Sequence, residues 1–244
     1  MNGNQGPKPV KNRLLESLPA KDKALIASGL QEVVLERGAV LFEPGEEVVD
    51  VYFPTQGMVG ALVLDLKSGI SAEAAMIGQE GAIGGIISEG DKPAFARAAV
   101  QMEGKAFRLS TDLLDDAKSK SPRLRDHFAR YADCLLAQVL QSVACNAVHD
   151  FDARLARWLL TIHDRLGENE LHITQEFISQ MLGVQRPYTT RVIGQLEKSG
   201  AIEGRRGVIR IANRRKLEGQ ACECYAYLRR HFERLLPGVY PVLR

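Results

Sequence analysis

The sequence predicts an α+β chain in which a small β-barrel comes first, one long helix second, and a helix-turn-helix followed by a β-hairpin last. Three patterns carry this prediction. Short β-rich segments broken by turn residues run from Glu32 to Leu109, an apolar repeat every three or four residues follows Pro122, and a helix-glycine-helix-hairpin order runs from Thr174 to Ile211.

The barrel strands are read at Val33-Val34-Leu35, Val40-Leu41-Phe42, Val51-Tyr52-Phe53, Val59 to Leu66 and Ala98 to Leu109. Arg37-Gly38, Pro44-Gly45, Gln56-Gly57, Ser68-Gly69 and Glu89-Gly90-Asp91 stand between them, at the spacing of a small barrel or roll. Beyond Pro122, Leu124, Phe128, Tyr131, Leu135, Val139 and Val143 form an apolar seam. Over residues 123–148 that seam extends about 40 Å at 1.5 Å per residue. Leu136 and Leu140 widen it enough to meet two neighbours, the chain's own barrel and a partner helix. Asp152 reads as the N-cap of the next helix, through Leu155, Trp158, Leu159 and Ile162, and Arg165 to Glu170 reads as a polar turn.

In the last block, Thr174, Phe177 and Ile178 open one helix, small Ser179 permits close approach of a second, and Gly183 supplies the tight turn. Val184, Val192, Ile193 and Leu196 form the buried side of the second helix. Gln185, Arg186, Pro187, Tyr188 and Arg191 are left to face a DNA groove. Gly200 ends that helix. Two strands then surround Gly204-Arg205-Arg206-Gly207, a wing whose Arg205 and Arg206 suit phosphate contact.

Charge points the same way. The chain of 244 residues carries a net +2, yet 16 basic residues face 20 acidic ones up to Asp150, and 16 face 10 after it. A basic C-terminal half suits a polyanion. A composition of 45% hydrophobic and 25% charged residues is that of a globular protein. The sequence has no apolar run of transmembrane length, and Met1 to Val10 is polar, so a cytoplasmic protein without membrane contact is expected.

The phrases Gly38-Ala39-Val40-Leu41-Phe42-Glu43-Pro44-Gly45-Glu46, Val51-Tyr52-Phe53-Pro54 and Arg154-Leu155-Ala156-Arg157-Trp158-Leu159-Leu160, with the helix-turn-helix, resemble the Crp/Fnr family of bacterial regulators from about Leu14 to Ile211. The resemblance implies a cupin-like effector barrel over residues 1–122, a dimerisation helix over 123–150, and a winged helix-turn-helix head over 151–244. The segment from Lys216 to Leu236 extends past the family's usual end and reads as an additional amphipathic helix. The resemblance implies a transcription regulator that is not an enzyme and binds near-palindromic promoter DNA as a homodimer. RNA polymerase and a small-molecule effector are its further partners of that kind.

Cyclic-nucleotide-binding members hold the ligand through a Gly-Glu phrase, a phosphate-pairing Arg and hydroxyls on the long helix. Here the phrase is Gly81-Ala82-Ile83-Gly84-Gly85, the arginine position falls near Ala94 with Arg97 three residues on, and the hydroxyl positions are Val139 and Leu140. A phosphate without its cationic partner is costly to bury, so cyclic AMP is not the expected effector. A nucleotide-binding signalling module is the alternative reading, and Arg97 is the residue on which it would depend. No cofactor or metal is expected. The first histidine is His127 and the first cysteine Cys134, which leaves a cupin-type metal enzyme or an iron-sulfur barrel without ligands. Cys222 and Cys224, two apart, fall on different faces if the segment is helical and read as packing residues; Cys224 becomes a ligand candidate only if it is not.

Overall fold

A computed structural model describes residues 11–67, 69 and 71–241. At the N-terminus, Asn12 caps the short helix α1 (Arg13–Glu16) by accepting from Leu15 N. Its Nδ2 donates to Pro54 O and Gly81 O at 2.9 and 2.8 Å, which ties the start of the chain to the barrel. Helix α2 (Ala20–Ala27) follows. The barrel is two antiparallel sheets. One orders β1 (Gln31–Leu35), β7 (Gly104–Ser110) and β3 (Asp50–Pro54); the other orders β2 (Val40–Phe42), β6 (Arg97–Met102), β4 (Val59–Asp65) and β5 (Ser71–Ile77). Alternation sets the faces: Val51 and Phe53 are fully buried, while Tyr52 between them is half-buried. Small side chains, Ala74, Ala82, Ala94 and Ala96, line a space inside the barrel.

Two barrel elements depart from the sequence expectation. The segment from Ser71 to Ile77 is a strand paired along β4, and the single expected strand from Ala98 to Leu109 is two strands meeting at Glu103. The chain can cross there because a Cβ at Gly104 would collide with the backbone of Gln56 and Met58.

Helix α3 (Thr111–Lys120) leads into α4 (Pro122–Val148), which Ser121 caps through Leu124 N, with Pro122 in the first turn. The apolar seam of α4 divides in two. Leu124, Phe128 and Tyr131 are buried against the chain's own barrel, with Leu135 and Val139 partly so, whereas Leu136, Leu140 and Val143 stand 56%, 61% and 64% exposed. The chain turns at His149 into α5 (Phe151–Leu166). The N-cap is Asp150 and not Asp152, which lies in the first turn. Phe151 is buried and packs 5.1 Å from the Tyr188 ring, which draws the helix start upstream. Gly167, at φ +70°, ends α5 in the left-handed region.

The head continues with β8 (Glu170–Leu171), α6 (Gln175–Met181), α7 (Arg186–Lys198), β9 (Ile202–Arg205) and β10 (Val208–Ile211), the strands ordered β8-β10-β9. The expected polar turn from Arg165 to Glu170 thus gives its last residue to a third wing strand. The expected helix from Lys216 to Leu236 is broken into α8 (Arg214–Glu218) and α9 (Cys224–Leu235) by residues 219–223. Helix α9 folds back on α4, and its Leu228 and Phe232 join the core that holds Phe53, Leu124 and Phe128. No helix among the described residues is long and apolar enough to cross a membrane.

Candidate nucleic-acid interface and barrel cavity

Thr174 caps α6 through Phe177 N, and Arg154 from α5 closes its other end by donating to Leu182 O at 3.1 Å. Gly183, at φ +65°, makes the turn that no branched side chain would adopt cheaply. Buried Ser179 lets α7 lie close, and Val192, Ile193 and Leu196 bury its inner side. Gln185 is the N-cap of α7 and Pro187 sits in its first turn, where no intrahelical N–H bond is lost.

This burial leaves Gln185, Arg186, Pro187, Thr190 and Arg191 exposed on one side of α7. Thr190, four residues after Arg186, adds a hydroxyl to the same face beyond the residues that the sequence pattern names. Tyr188 is different: half-buried, it packs on Phe151, and the Arg191 guanidinium lies 4.5 Å from its ring centroid. Its ring therefore positions Arg191. At the wing, Arg205 and Arg206 are exposed at a two-residue turn with Gly207 at φ +77°. Arg210 is tied to Glu203, and Glu197 of α7 accepts from Gly204 N, which fixes the wing against the helix.

A family model described as the Crp-like helix-turn-helix domain matches residues 153–219, the stretch that holds these elements. The fold of the chain is similar to a regulator of the Crp/Fnr family from Eubacterium rectale, at 18% identity, covering 85% of this chain and 96% of that one, TM-score 0.63. It is also similar to FixK2 from Bradyrhizobium japonicum, at 16% identity, covering 79% and 98%, TM-score 0.68. A third similarity is to the c-di-GMP-responsive global regulator CLP of Xanthomonas campestris, at 14% identity, covering 79% and 99%, TM-score 0.63. No curated protein sequence matches the chain. Residues 153–219 thus carry a Crp-like helix-turn-helix domain, and the chain has the fold of the Crp/Fnr-type regulators it resembles.

In the barrel, Ala82, Ile83, Gly84, Ala94 and Val139 surround a cavity of 620 Å³, together with Phe42, Ile86 and Leu135. Three of the expected pocket residues lie elsewhere. Arg97 points out of the barrel because Ala98 points in, and it forms a two-bonded pair with Asp65 at 2.8 and 3.0 Å. Leu140 stands on the outer side of α4, and Gly81 lies against the Tyr131 ring, leaving no room for a Cβ. The one lysine at the cavity, Lys92, is held by Asp115 at 2.7 Å and Gly90 O at 2.8 Å. A buried anion would find no free cation among the described residues lining it.

The head is joined to the barrel through buried polar contacts. Arg165 of α5 pairs with Glu80 at 2.8 Å, both under 3% exposed, and its Nη2 donates to Met76 O while contacting Gln138 Oε1. Nearby, Glu73 of β5 accepts from Gln101 Nε2 at 2.6 Å and Trp158 Nε1 at 3.1 Å. Burial pushes the Glu73 carboxyl up against the opposing pull of those donors. A carboxyl raised in the folded state contributes stability below its unfolded value, about 4.3, and loses it as pH rises through the folded one. The melting temperature is therefore expected to fall across that window in the wild type and to flatten in Glu73→Gln. Equal pH slopes for the two proteins would rule out Glu73 as the source.

Cys222 and Cys224 also differ from expectation. Helix α9 begins at Cys224, so the argument from helix faces does not apply, and both thiols converge on Cys145 and His149 at the end of α4.

Proposed function

We propose that two copies of this regulator, paired along α4, read a two-fold symmetric DNA site with one α7 in each half-site. Two promoter half-sites, RNA polymerase as the downstream partner and a cytoplasmic location belong to the same reading. The observation that carries it is the exposed side of α7, where Gln185, Arg186 and Arg191 stand out from a helix whose opposite side is core, with Arg205 and Arg206 beside them on the wing. Arginines at a helix N-terminus suit guanine edges in the major groove, and arginines at a wing tip suit phosphates. Pro187 offers no side-chain acceptor. The half-site is therefore expected to differ at the base pair facing it from that of regulators with a carboxylate there.

The test is a binding series at fixed salt on single-base variants of a site selected from random DNA. Arg186→Ala or Arg191→Ala should cost about 1–3 kcal/mol and relax preference at one base pair. Arg205→Ala should weaken all sequences alike and lower the salt slope by about one. Uniform loss from the two helix arginines, with no change in base preference, would remove α7 as the reading element.

The cavity supports an apolar, uncharged occupant of the barrel as effector. Its lining is dominated by Ala, Ile, Leu, Val and Phe side chains, and cyclic AMP would have to leave its phosphate among them unpaired.

A further inference from the structure

Among the described residues, one group of side chains able to ligate a metal converges at the hinge where α4 gives way to α5. Cys145 lies in the last turn of α4, and His149, four residues on, caps it. Cys222 and Cys224 come from the segment that opens α9, packed against that same helix end. One ligand atom from each of the four lies within 4.8 Å of all the others. Cys145 Sγ and Cys222 Sγ are 3.5 Å apart, as are Cys224 Sγ and His149 Nδ1.

We propose that Cys145, His149, Cys222 and Cys224 form a mononuclear tetrahedral zinc site that fastens α9 to the hinge of the DNA-binding head. A zinc ion with bonds of about 2.3 Å to sulfur holds its ligand atoms about 3.8 Å apart, close to the spacings found here. An iron-sulfur cluster needs its thiolates spread around several metal atoms, so four ligand atoms this close suit a single ion.

The surroundings are those of a ligand set and not of a thiol cluster packed for its bulk. His149 Nε2 lies 3.1 Å from Glu223 Oε2 and donates to it, which leaves the Nδ1 lone pair facing the three sulfurs. Gln141 Nε2 donates to Cys224 Sγ at 3.0 Å, an N–H···S bond of the kind that stabilises a bound thiolate. All three cysteines are buried, and Arg154 and Arg157 stand near enough to offset the negative charge that three thiolates and one imidazole leave on a divalent ion. A disulfide between Cys145 and Cys222 would use two of the four and give Cys224, Glu223 and the imidazole no role. Binding displaces the three thiol protons into solvent as three sulfur-zinc bonds form, with no oxidation of any group.

The experiment uses the full chain, purified with reductant and without chelator. Metal analysis is expected to give one zinc per chain. After removal of the ion under reducing conditions, cobalt(II) should titrate to one equivalent, with the visible bands of a tetrahedral ion and a near-ultraviolet thiolate charge-transfer band, both displaced by zinc. Zinc should also raise the melting temperature of the stripped protein. Cys145→Ser, Cys222→Ser and His149→Ala should each weaken cobalt binding at least tenfold, whereas Cys134→Ser, whose thiol lies elsewhere on α4, should leave it unchanged. The wild-type spectrum and stoichiometry stand even if a variant misfolds. A reduced, folded wild type that takes up no stoichiometric zinc or cobalt, an octahedral cobalt spectrum, or a Cys145–Cys222 disulfide in metal-free protein prepared without air would overturn the proposal.

Discussion

Arg165→Ala is expected to lower the stability of the chain by about 3–5 kcal/mol, because it leaves the Glu80 carboxylate buried without its cation. The arginine makes no exposed contact at all. Its guanidinium reaches Glu80, Met76 O, Gln138 Oε1, Thr161 O and the Tyr240 hydroxyl, so one side chain joins the barrel, α4, α5 and the C-terminal segment. Arg165→Lys should recover little, since a single ammonium cannot span that set. A double change to apolar residues, Arg165→Met with Glu80→Met, should restore most of the loss, because it removes both desolvated charges together. Urea unfolding gives the sizes, and amide exchange at the Met76 and Glu80 backbone shows where the structure opens. A single-variant loss below about 1 kcal/mol would mean that water reaches Glu80 and that the junction is not held by this pair.

The part of this architecture that could be read from sequence is the part set by local pattern. Strands rich in Val, Phe and Tyr, such as β2 and β3, announce themselves through alternation, and Gly183 marks the turn of the head because few other residues adopt its conformation. What was hidden depends on tertiary pairing. The stretch Ser71 to Ile77 has three alanines and weak strand preference, and becomes β5 only because β4 offers it a ladder. The position expected for a phosphate-pairing arginine holds Ala94, and Arg97, three residues on, is the candidate to replace it. The inward position of Ala98 in β6 sends Arg97 outward to Asp65, while Ala94 remains at the cavity. The four hinge ligands were hidden for the same reason: 77 residues separate Cys145 from Cys222, and only the return of α9 along α4 brings them together.

Leu140→Asp is expected to separate the proposed dimer, with association weakened about 100-fold or more. Helix α4 spends one side on its own barrel. That leaves Leu136, Leu140 and Val143, spaced four and three apart, exposed in a row that a second α4 would cover. A two-fold axis places each residue near its own copy, so one substitution introduces two carboxylates into one apolar contact, desolvated and of like charge. Leu135→Asp, five residues nearer the N-terminus and on the barrel side of α4, should act differently. Leu135 is half-buried and lines the cavity, so its charge should damage the barrel and spare the association surface. Light scattering after gel filtration at micromolar concentration should give about twice the 26.9 kDa chain mass for the wild type and a mass near one chain for Leu140→Asp. Affinity for a two-half-site DNA should fall in the same variant by about 10²–10⁴, because each head must then bind without the help of the other. Half-site affinity should not change. A Leu140→Asp protein that remains dimeric and binds the full site as the wild type does would place the subunit contact away from this face of α4.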